Sequence, residues 1–427
     1  TASLTITEML FANPADRIID LAALPKRPLE HWYVIEPEFK EKLTNPDLPI
    51  IYGGKLKSGY FLEIDSDRII FGLDVFGSAF FMMSRMEEYL RDDADAMKRF
   101  PLKSTLAMQE GFYNRPIVNE YIELLWGFLL QLWPKLERKP REFRLLTSHD
   151  VDTPFEQLGK EFSRIVRACL VDLAVIKNPI LPLQRFANWI QVNHGSVQKD
   201  FAYTYDALMD IEDEHNIKSA FYFITGVTHP KTVNQFPIER TEMRGILRAI
   251  HRRGHEIGVH GGHFTFNDAD NFRTEVTRIR NTCLEEGIEQ TVWGGRQHNL
   301  QWRAPTTWRV WEEAGLDYDS TLTFSEQPGF RCGICYEYRT YDVERRQPLR
   351  LIERPLVVMD VSFIRKDYMN LTYQQTVTES IKLMAICKKY NGDFTLLWHN
   401  YSQKLFSREN LLALYRSIVH ARSQIEG

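Results

Sequence analysis

The segment ILRAIHRRGHEIGVH (residues 246–260) decides the fold class, because it joins a helix directly to a strand. Its first five residues place three apolar side chains on one face of a helix, and Gly254 is predicted to end that helix. The β-rich run 255–260 follows at once and predicts a strand. A helix that leads straight into a strand is the repeating unit of an α/β fold.

The same order of helix, glycine and short strand recurs from about residue 142 onward. One predicted helix ends at Gly287 before the β-rich run 291–293, and another ends before Gly392 and the run 394–398. Helices that alternate with strands imply parallel strand pairing. Residues 142–427 are therefore predicted to form an α/β domain, and the number of repeats favours a distorted (β/α) barrel over a doubly wound sheet.

Residues 1–141 differ in pattern and are predicted to form a smaller, mixed α/β accessory domain. Short strands and two helices are expected there, at 50–52, 60–64, 69–72, 78–90 and 121–136. The apolar run 79–83 is interpreted as core, not as a cofactor pocket.

Composition excludes several classes of protein. With 427 residues, of which 44% are apolar, the chain can bury a large core. A net charge of −4 provides no basic footprint for nucleic acid. Charged residues and proline interrupt the most apolar stretch, 168–179, so no membrane span is expected. The sequence does not indicate an oligomeric state.

The expected compartment is the cytoplasm. Five cysteines, an odd number, fit a reducing environment better than a disulfide framework. The first thirty residues contain no pattern typical of a secretory signal. Because the chain begins with Thr1, a removed leader stays open as an alternative.

Polar residues with metal-binding and acid–base chemistry follow several predicted strands. Asp150 and Asp152 come after an apolar run, His260 and His263 end the next motif, and His399 ends the last strand-like run. Reactive groups of α/β folds gather at the carboxyl ends of the strands. One mouth is therefore expected to collect all five, with the donors needed to bind one divalent metal and hydrolyse an acyl group.

A carboxylate and two imidazoles leave open positions on zinc, where a bound water becomes acidic. Asp152, His260 and His263 are the predicted ligands of zinc, with cobalt, nickel and manganese as alternatives. Asp150 is predicted to lie beside the water as general base. A turn or helix cap is the alternative interpretation of Asp150 and Asp152.

Four segments in this order resemble the NodB-homology polysaccharide deacetylases, carbohydrate esterase family 4, in the subset whose first motif is Asp-x-Asp. They are TSHDVD at 147–152, GHEIGVHGGH at 254–263, WRAP at 302–305 and LLWH at 396–399. The resemblance covers about residues 142–427. Residues 76–89 resemble an extra domain that precedes this catalytic domain in bacterial proteins often associated with surface-polysaccharide gene clusters.

This resemblance implies a metal-dependent removal of acetyl groups from an N-acetyl sugar or glycan. It also implies that His399 is the general acid for the leaving group and that Arg303 orients the carboxylate of Asp150. Asp360 ends another apolar run and is the candidate carboxylate that orients His399. Arg296 lies close by in sequence and competes with Arg303 for its role.

The chain departs from the family at the metal histidines, which the family usually separates by three residues. Only two residues separate His260 from His263, and Phe264 stands at the expected place. The glycines between them can absorb a deletion. His298 or a water is the alternative third ligand. Thr306 replaces an aromatic residue of the family's third motif.

Candidate contacts for a carbohydrate substrate are Arg296, His298, Trp302 and Trp189. Trp189 belongs to an insertion between 154 and 199, where its ring is expected either to stack on a sugar or to pack within the insertion.

Two other functions remain open at this point. One is a non-hydrolytic glycan-binding or scaffolding protein that keeps the fold without a metal. The other is a hydrolase of cyclic ureides, similar to allantoinase, because the same metal site serves either bond.

Overall fold

The computed structural model describes residues 2–10, 20–91, 93–176, 179–226, 236–400 and 408–426. The strands are β1 (Ser3–Ile6), β2 (Glu30–Tyr33), β3 (Asp47–Ile50), β4 (Leu62–Ile64), β5 (Arg68–Phe71), β6 (Arg144–Val151), β7 (Ala220–Phe223), β8 (Glu256–Gly261), β9 (Gly294–Gln297), β10 (Tyr318–Asp319), β11 (Tyr338–Asp342), β12 (Gln347–Glu353), β13 (Val358–Met359) and β14 (Asp393–Leu397).

The helices are α1 (Pro37–Lys40), α2 (Val75–Met83), α3 (Met86–Leu90), α4 (Leu106–Gln109), α5 (Ile117–Leu132), α6 (Phe162–Val171), α7 (Leu181–Asn193), α8 (Tyr205–Glu214), α9 (Thr241–Arg252), α10 (Ala269–Glu285), α11 (Thr306–Glu313), α12 (Asp360–Ile364), α13 (Tyr373–Lys389) and α14 (Arg408–Glu426). This content confirms the mixed α/β class.

The chain divides into two compact units, each built from two segments. The first unit comprises Thr1–Leu145 and Asn299–Leu396, and the second comprises Leu146–His298 and Leu397–Gly427. The domain boundary expected at residues 141 and 142 and the closure of a barrel stay predictions.

Four parallel strands form the sheet of the second unit in the order β9-β8-β7-β6. Helices α8, α9 and α10 lie between successive strands in the chain, as parallel connections require. The α9–β8 junction agrees with the sequence: α9 buries Ile246, Leu247 and Ile250. Gly254 follows with φ +74°, a conformation that favours glycine at a helix end.

The first unit contains a three-stranded sheet of order β1-β5-β4 and an antiparallel pair of β2 with β3. Helix α5 packs on this layer through Phe128, whose ring meets Phe39 and Phe71 edge-on at 4.8 and 4.9 Å between centroids. The same unit holds the set β11-β12-β10, in which β10 is parallel to β12.

The single helix expected at 78–90 is two helices, α2 and α3, because Arg85 between them is left-handed with φ +56°. Its guanidinium donates to the Met82 carbonyl oxygen at 2.8 Å and to Glu88 Oε1 at 2.6 Å. Glu88 also accepts from Arg331 at 2.7 Å. Non-glycine residues hold this conformation only where their surroundings fix it, and here a buried Arg–Glu–Arg cluster does so.

Burial would raise the pKa of Glu88, but Arg331 and Arg85 outweigh that effect and lower the pKa to about 2. The carboxylate is therefore ionised between two cations.

Among the described residues, no helix has the length and apolar character needed to cross a bilayer. The five cysteines, all within the described residues, are free thiols.

Glu88→Ala is expected to lower the free energy of unfolding by about 3–5 kcal/mol, because it leaves two buried guanidinium groups without their carboxylate. Urea unfolding followed by tryptophan fluorescence measures the loss. Asp65→Ala is the control, because it breaks the exposed pair with Arg68 and should cost less than about 1 kcal/mol. A loss for Glu88→Ala no larger than that for Asp65→Ala would contradict a stabilising role of the buried cluster.

Candidate active site

The carboxyl ends of β6, β8 and β9 bring three potential metal ligands together. Asp152 follows the end of β6, His260 lies near the end of β8, and His298 follows β9 directly. One ligand atom from each of the three lies within 4.8 Å of the other two. In the part of the chain that the structure describes, this is the cluster with the donors to hold a metal ion.

The side chain of Asp152 is the centre of this cluster. Its Oδ1 lies 3.1 Å from His260 Nε2 and 3.7 Å from His298 Nε2, while its Oδ2 lies 3.8 Å from His399 Nε2. Desolvation would raise the pKa of Asp152, but the hydrogen bond to His260 and the nearby imidazoles lower it well below its usual range. Asp152 is therefore an ionised carboxylate that faces three histidines.

His260 is oriented as a metal ligand would be. Its Nδ1 lies 2.9 Å from the carbonyl oxygen of Arg296, an acceptor that requires a proton on Nδ1. This leaves Nε2 to face Asp152, and a backbone partner of this kind commonly fixes the tautomer of a metal-bound histidine. Burial lowers the pKa of His260, but Asp150 and Asp152 outweigh it and raise the pKa overall.

His298 completes the cluster, while His263 lies further out. Burial lowers the pKa of His298 to about 4, so its ring is neutral and able to donate a lone pair at neutral pH. The ring of His263 lies 6.2 Å from that of His298, whereas the rings of His260 and His298 are 5.1 Å apart. The structure thus brings the alternative third ligand into the cluster, and coordination by His263 stays a prediction.

Asp150 forms a buried ion pair with Arg296. Arg296 Nη1 donates to Asp150 Oδ1 at 2.6 Å, and Nη2 donates to Ser148 Oγ at 3.0 Å. The two charged residues are 2% and 1% exposed. Burial would raise the pKa of Asp150, but Arg296 and the neighbouring His260 and His399 lower it.

This ion pair shows that the sheet of the second unit is strongly curved. Strands β6 and β9 are three positions apart, and a flat sheet would separate them by about 14 Å. Their side chains nevertheless meet at 2.6 Å on one face. The four strands therefore curl around the face that carries the cluster, as strands of a barrel wall do.

The loop after His260 is held through both backbone polar groups of Gly262. The Gly262 N–H donates to Glu275 Oε2 at 2.8 Å, and its carbonyl oxygen accepts from Gln297 Nε2 at 2.5 Å. A Cβ at Gly261 would lie 2.3 Å from Gln297 Oε1, so a larger residue here would displace the Gln297 side chain. Glu275 and Gln297 thus fix the shortened connection between His260 and His263.

A second buried network supports β6 from the opposite face of the sheet. His149 Nε2 lies 2.8 Å from Glu212 Oε1, and its Nδ1 lies 2.8 Å from the carbonyl oxygen of Trp398. Thr147, Tyr415 and Ser219 also donate to Glu212. The network ties the strand that carries Asp150 to the residue before His399.

The sequence did not assign these supporting roles, although a signal was present for some of them. His149 lies within the first motif, and Gln297 belongs to Arg296-Gln297-His298, which ends a strand as the other motifs do. Glu212 lies in the last turn of α8 and Glu275 within α10, and acids on helices are ordinarily predicted to face solvent.

Several predicted site residues belong to the other unit, so their roles stay predictions. Arg303 has an exposed side chain, and Asp360 is buried at the start of α12. Trp302 is buried with its ring edge-on to Trp308, at 4.9 Å between centroids. Within the second unit, Arg296 makes an ion pair with Asp150.

Trp189 packs within the inserted helices. Its indole nitrogen donates to the Lys160 carbonyl oxygen at 2.8 Å, and its ring lies 6.0 Å from Phe186 and 5.9 Å from Phe162. Packing inside the insertion was one of the two expectations for this residue, and stacking on a sugar stays a prediction.

A known protein family matches part of the chain. A family model described as a family of unknown function, DUF7033, matches residues 26–134. No curated protein matches the chain. The chain therefore has a recognisable segment in its first third, while the site lies outside it.

Solved structures similar to this chain include a protein described as a polysaccharide deacetylase from Mycobacterium smegmatis, with 19% identity, a TM-score of 0.41 and coverage of 67% of this chain and 86% of that one. Puue allantoinase has 12% identity and a TM-score of 0.39, over 67% and 89%. A protein described as a polysaccharide deacetylase from Pseudomonas aeruginosa PAO1 has 13% and 0.37, over 67% and 89%.

Arg296→Ala is expected to lower the free energy of unfolding by about 3–5 kcal/mol, because it leaves the buried carboxylate of Asp150 without a counter-charge. Arg303→Ala is the matched control and should change it by less than about 0.5 kcal/mol, because that side chain is exposed. Thermal and urea unfolding of the metal-free proteins measure both.

A double-mutant cycle with Asp150→Asn and Arg296→Ala separates the ion pair from general packing. A coupling free energy of about 0.5–3 kcal/mol is expected for residues in contact. Strictly additive losses would contradict a direct interaction between the two side chains.

Proposed function

We propose that this chain is a metal-dependent hydrolase that removes acetyl groups from an N-acetylated carbohydrate. One observation carries the proposal: Asp152, His260 and His298 converge beside the buried Asp150–Arg296 pair, with His399 3.8 Å from Asp152. A binding protein has no need of an ionised carboxylate and a separate histidine beside a set of metal ligands.

The donor set fits a divalent cation. One carboxylate and two imidazoles are typical ligands of zinc, and cobalt, nickel or manganese can use the same donors. Asp152, His260 and either His298 or His263 would hold the ion. When bound, such an ion polarises the acyl oxygen and lowers the pKa of a bound water.

Asp150 is the proposed general base. Arg296 occupies its Oδ1, while its Oδ2 faces the ligand set at 3.7 Å from His260 Nε2. The lowered pKa keeps the carboxylate ionised and able to accept a proton at neutral pH. Asp150 would take a proton from the water that attacks the acetyl carbonyl carbon.

His399 is the proposed general acid. It approaches Oδ2 of Asp152, whereas His298 approaches Oδ1, and its ring is partly exposed, as a group that meets a substrate must be. His399 would donate a proton to the departing amine nitrogen as the carbon–nitrogen bond breaks. The products are acetate and an amino sugar, and Asp360 is proposed to orient His399.

The choice of a carbohydrate as substrate rests on the order and content of the four sequence motifs. The proposal includes a role in surface-polysaccharide biosynthesis. It also includes contacts of Trp302 and Trp189 with the substrate. The acetamido group of a sugar and a cyclic ureide both present an amide carbonyl to the site.

Elemental analysis of the purified protein tests the metal site. About one zinc per chain is expected in the wild type, and Asp152→Ala and His260→Ala should each abolish it, because each removes a donor from a three-ligand set. His298→Ala and His263→Ala are compared side by side. Loss of metal in only one of these two identifies the third ligand.

Absence of metal after reconstitution with zinc, cobalt, nickel and manganese would reject the hydrolase. The glycan-binding scaffold would then be the better description, and glycan binding by the metal-free protein would test it.

Release of acetate from a chito-oligosaccharide tests the chemistry. His399→Ala and Asp150→Asn are expected to lower kcat by about 10²–10⁴, while the metal content stays near that of the wild type, because neither residue is a proposed ligand. Arg273→Ala, at an exposed arginine of α10 outside the proposed site, is the control. Hydrolysis of allantoin without acetate release would replace the deacetylase by a cyclic-ureide hydrolase.

A further inference from the structure

The inserted helices α6 and α7 expose an unusual amount of apolar surface. Nine of the 23 large apolar side chains that the described part of the chain exposes lie between residues 162 and 190. They are Phe162, Val166, Leu170, Val171, Leu173, Ile180, Leu183, Phe186 and Ile190. Scattered apolar residues need no explanation, but a concentration of this kind marks an interaction surface.

Helix α7 has apolar residues on the face that points away from the core. Its buried residues are Arg185, Asn188 and Val192, which lie on one side of the helix. Leu183 is 72% exposed on the opposite side, where Phe186 and Ile190 are exposed as well. A helix that needed only to cover its own core would have the reverse arrangement.

The apolar face of α6 continues that of α7. Phe162, Val166 and Leu170 follow one another at helical spacing and are all exposed. The rings of Phe162 and Phe186 are 6.2 Å apart. The two helices therefore present one continuous surface, which we call the hairpin face: Phe162, Val166, Leu170, Leu183, Phe186 and Ile190.

The hairpin is held firmly in place from below. Arg185 donates to Asp172 Oδ2 at 2.6 Å and pairs with Glu156, and all three side chains are buried. Trp189 is tied to the Lys160 carbonyl oxygen. Because these contacts hold the two helices rigidly, their exposed surface loses little conformational entropy when it binds a partner, which favours an interaction role.

Exposed charges on the hairpin are mainly positive, although the whole chain carries −4. Arg164 and Arg167 project from α6, and Lys199 is exposed just beyond α7. Residues 161–199 contain two acids. Of these, Glu161 is exposed, and Asp172 is buried in its pair with Arg185. Apolar and basic groups on the same helices complement a surface that is apolar inside and anionic outside.

We propose that the hairpin face docks the protein on an anionic lipid bilayer, with Leu170 and Leu183 in the boundary between head groups and acyl chains and with Arg164 and Arg167 among the phosphates. Interfacial helices have this combination of exposed large apolar residues and flanking basic residues. The proposal is independent of the hydrolase proposal, since it uses no residue of the metal cluster.

Co-sedimentation with vesicles tests the proposal with the full chain. The wild type should sediment with equimolar phosphatidylglycerol and phosphatidylcholine vesicles, and much less with phosphatidylcholine alone. Leu170→Ser/Leu183→Ser should lower the partition coefficient about tenfold or more, because it removes apolar area that enters the bilayer. Leu21→Ser/Leu284→Ser is the matched control, since these leucines are equally exposed elsewhere, and it should bind like the wild type.

Arg164→Ala/Arg167→Ala should weaken binding to the anionic vesicles by about 30-fold. Each basic residue near an anionic surface contributes about 1 kcal/mol of binding free energy, and the variant removes two of them. Thermal unfolding of every variant checks that it is folded, as expected for exposed positions.

Two results would overturn the proposal. One is a wild type that fails to sediment with anionic vesicles, or that sediments no better than Leu170→Ser/Leu183→Ser. The other is a dimer in light scattering that this variant converts to a monomer without any vesicle binding, because the hairpin face would then be covered by a second copy of the chain.

Discussion

The buried ion pair between Asp150 and Arg296 is the constraint on which the geometry of the site depends. It joins the carboxyl ends of β6 and β9 across two intervening strands, which only a curled sheet permits. Either charge would be costly to bury without the other. Once these two side chains are enclosed, the strands between them must bend, and the histidine at the end of β8 is turned toward Asp152.

The strand that carries Asp150 is supported from both faces. Ser148 and Asp150 contact Arg296 on one face, and Thr147 and His149 contact Glu212 on the other, as the alternation of side chains along a strand requires. Burial would raise the pKa of Glu212, but His149 and the hydroxyl donors lower it, so Glu212 is ionised. Polar networks of this kind fix one arrangement, because any other leaves a charge without a partner.

Structural features that depend on local sequence pattern could be predicted from the sequence. Features that depend on residues far away in the chain could not. The α9–β8 junction follows from apolar spacing and Gly254, and the polar groups at strand ends follow from the parallel arrangement. The break at Arg85 could not be predicted, because Glu88 is near in sequence but Arg331 is 246 residues away. The same reason explains why Arg296 and Arg303 could not be ranked as partners of Asp150.

The two candidates for the third ligand of the proposed metal site lie on neighbouring parts of the sheet: His263 follows β8 and His298 follows β9. Glu275 accepts from the Gly262 N–H and Gln297 donates to the Gly262 carbonyl oxygen, so the two-residue connection after His260 is held at its backbone. Strand β9 pairs with β8 in the register His260 to Arg296, which places His298 one step past the end of β9 on the side of Asp152. His298 at that step is the alternative to His263 as third ligand of the proposed metal site. Gln297, which holds the short loop, directly precedes His298.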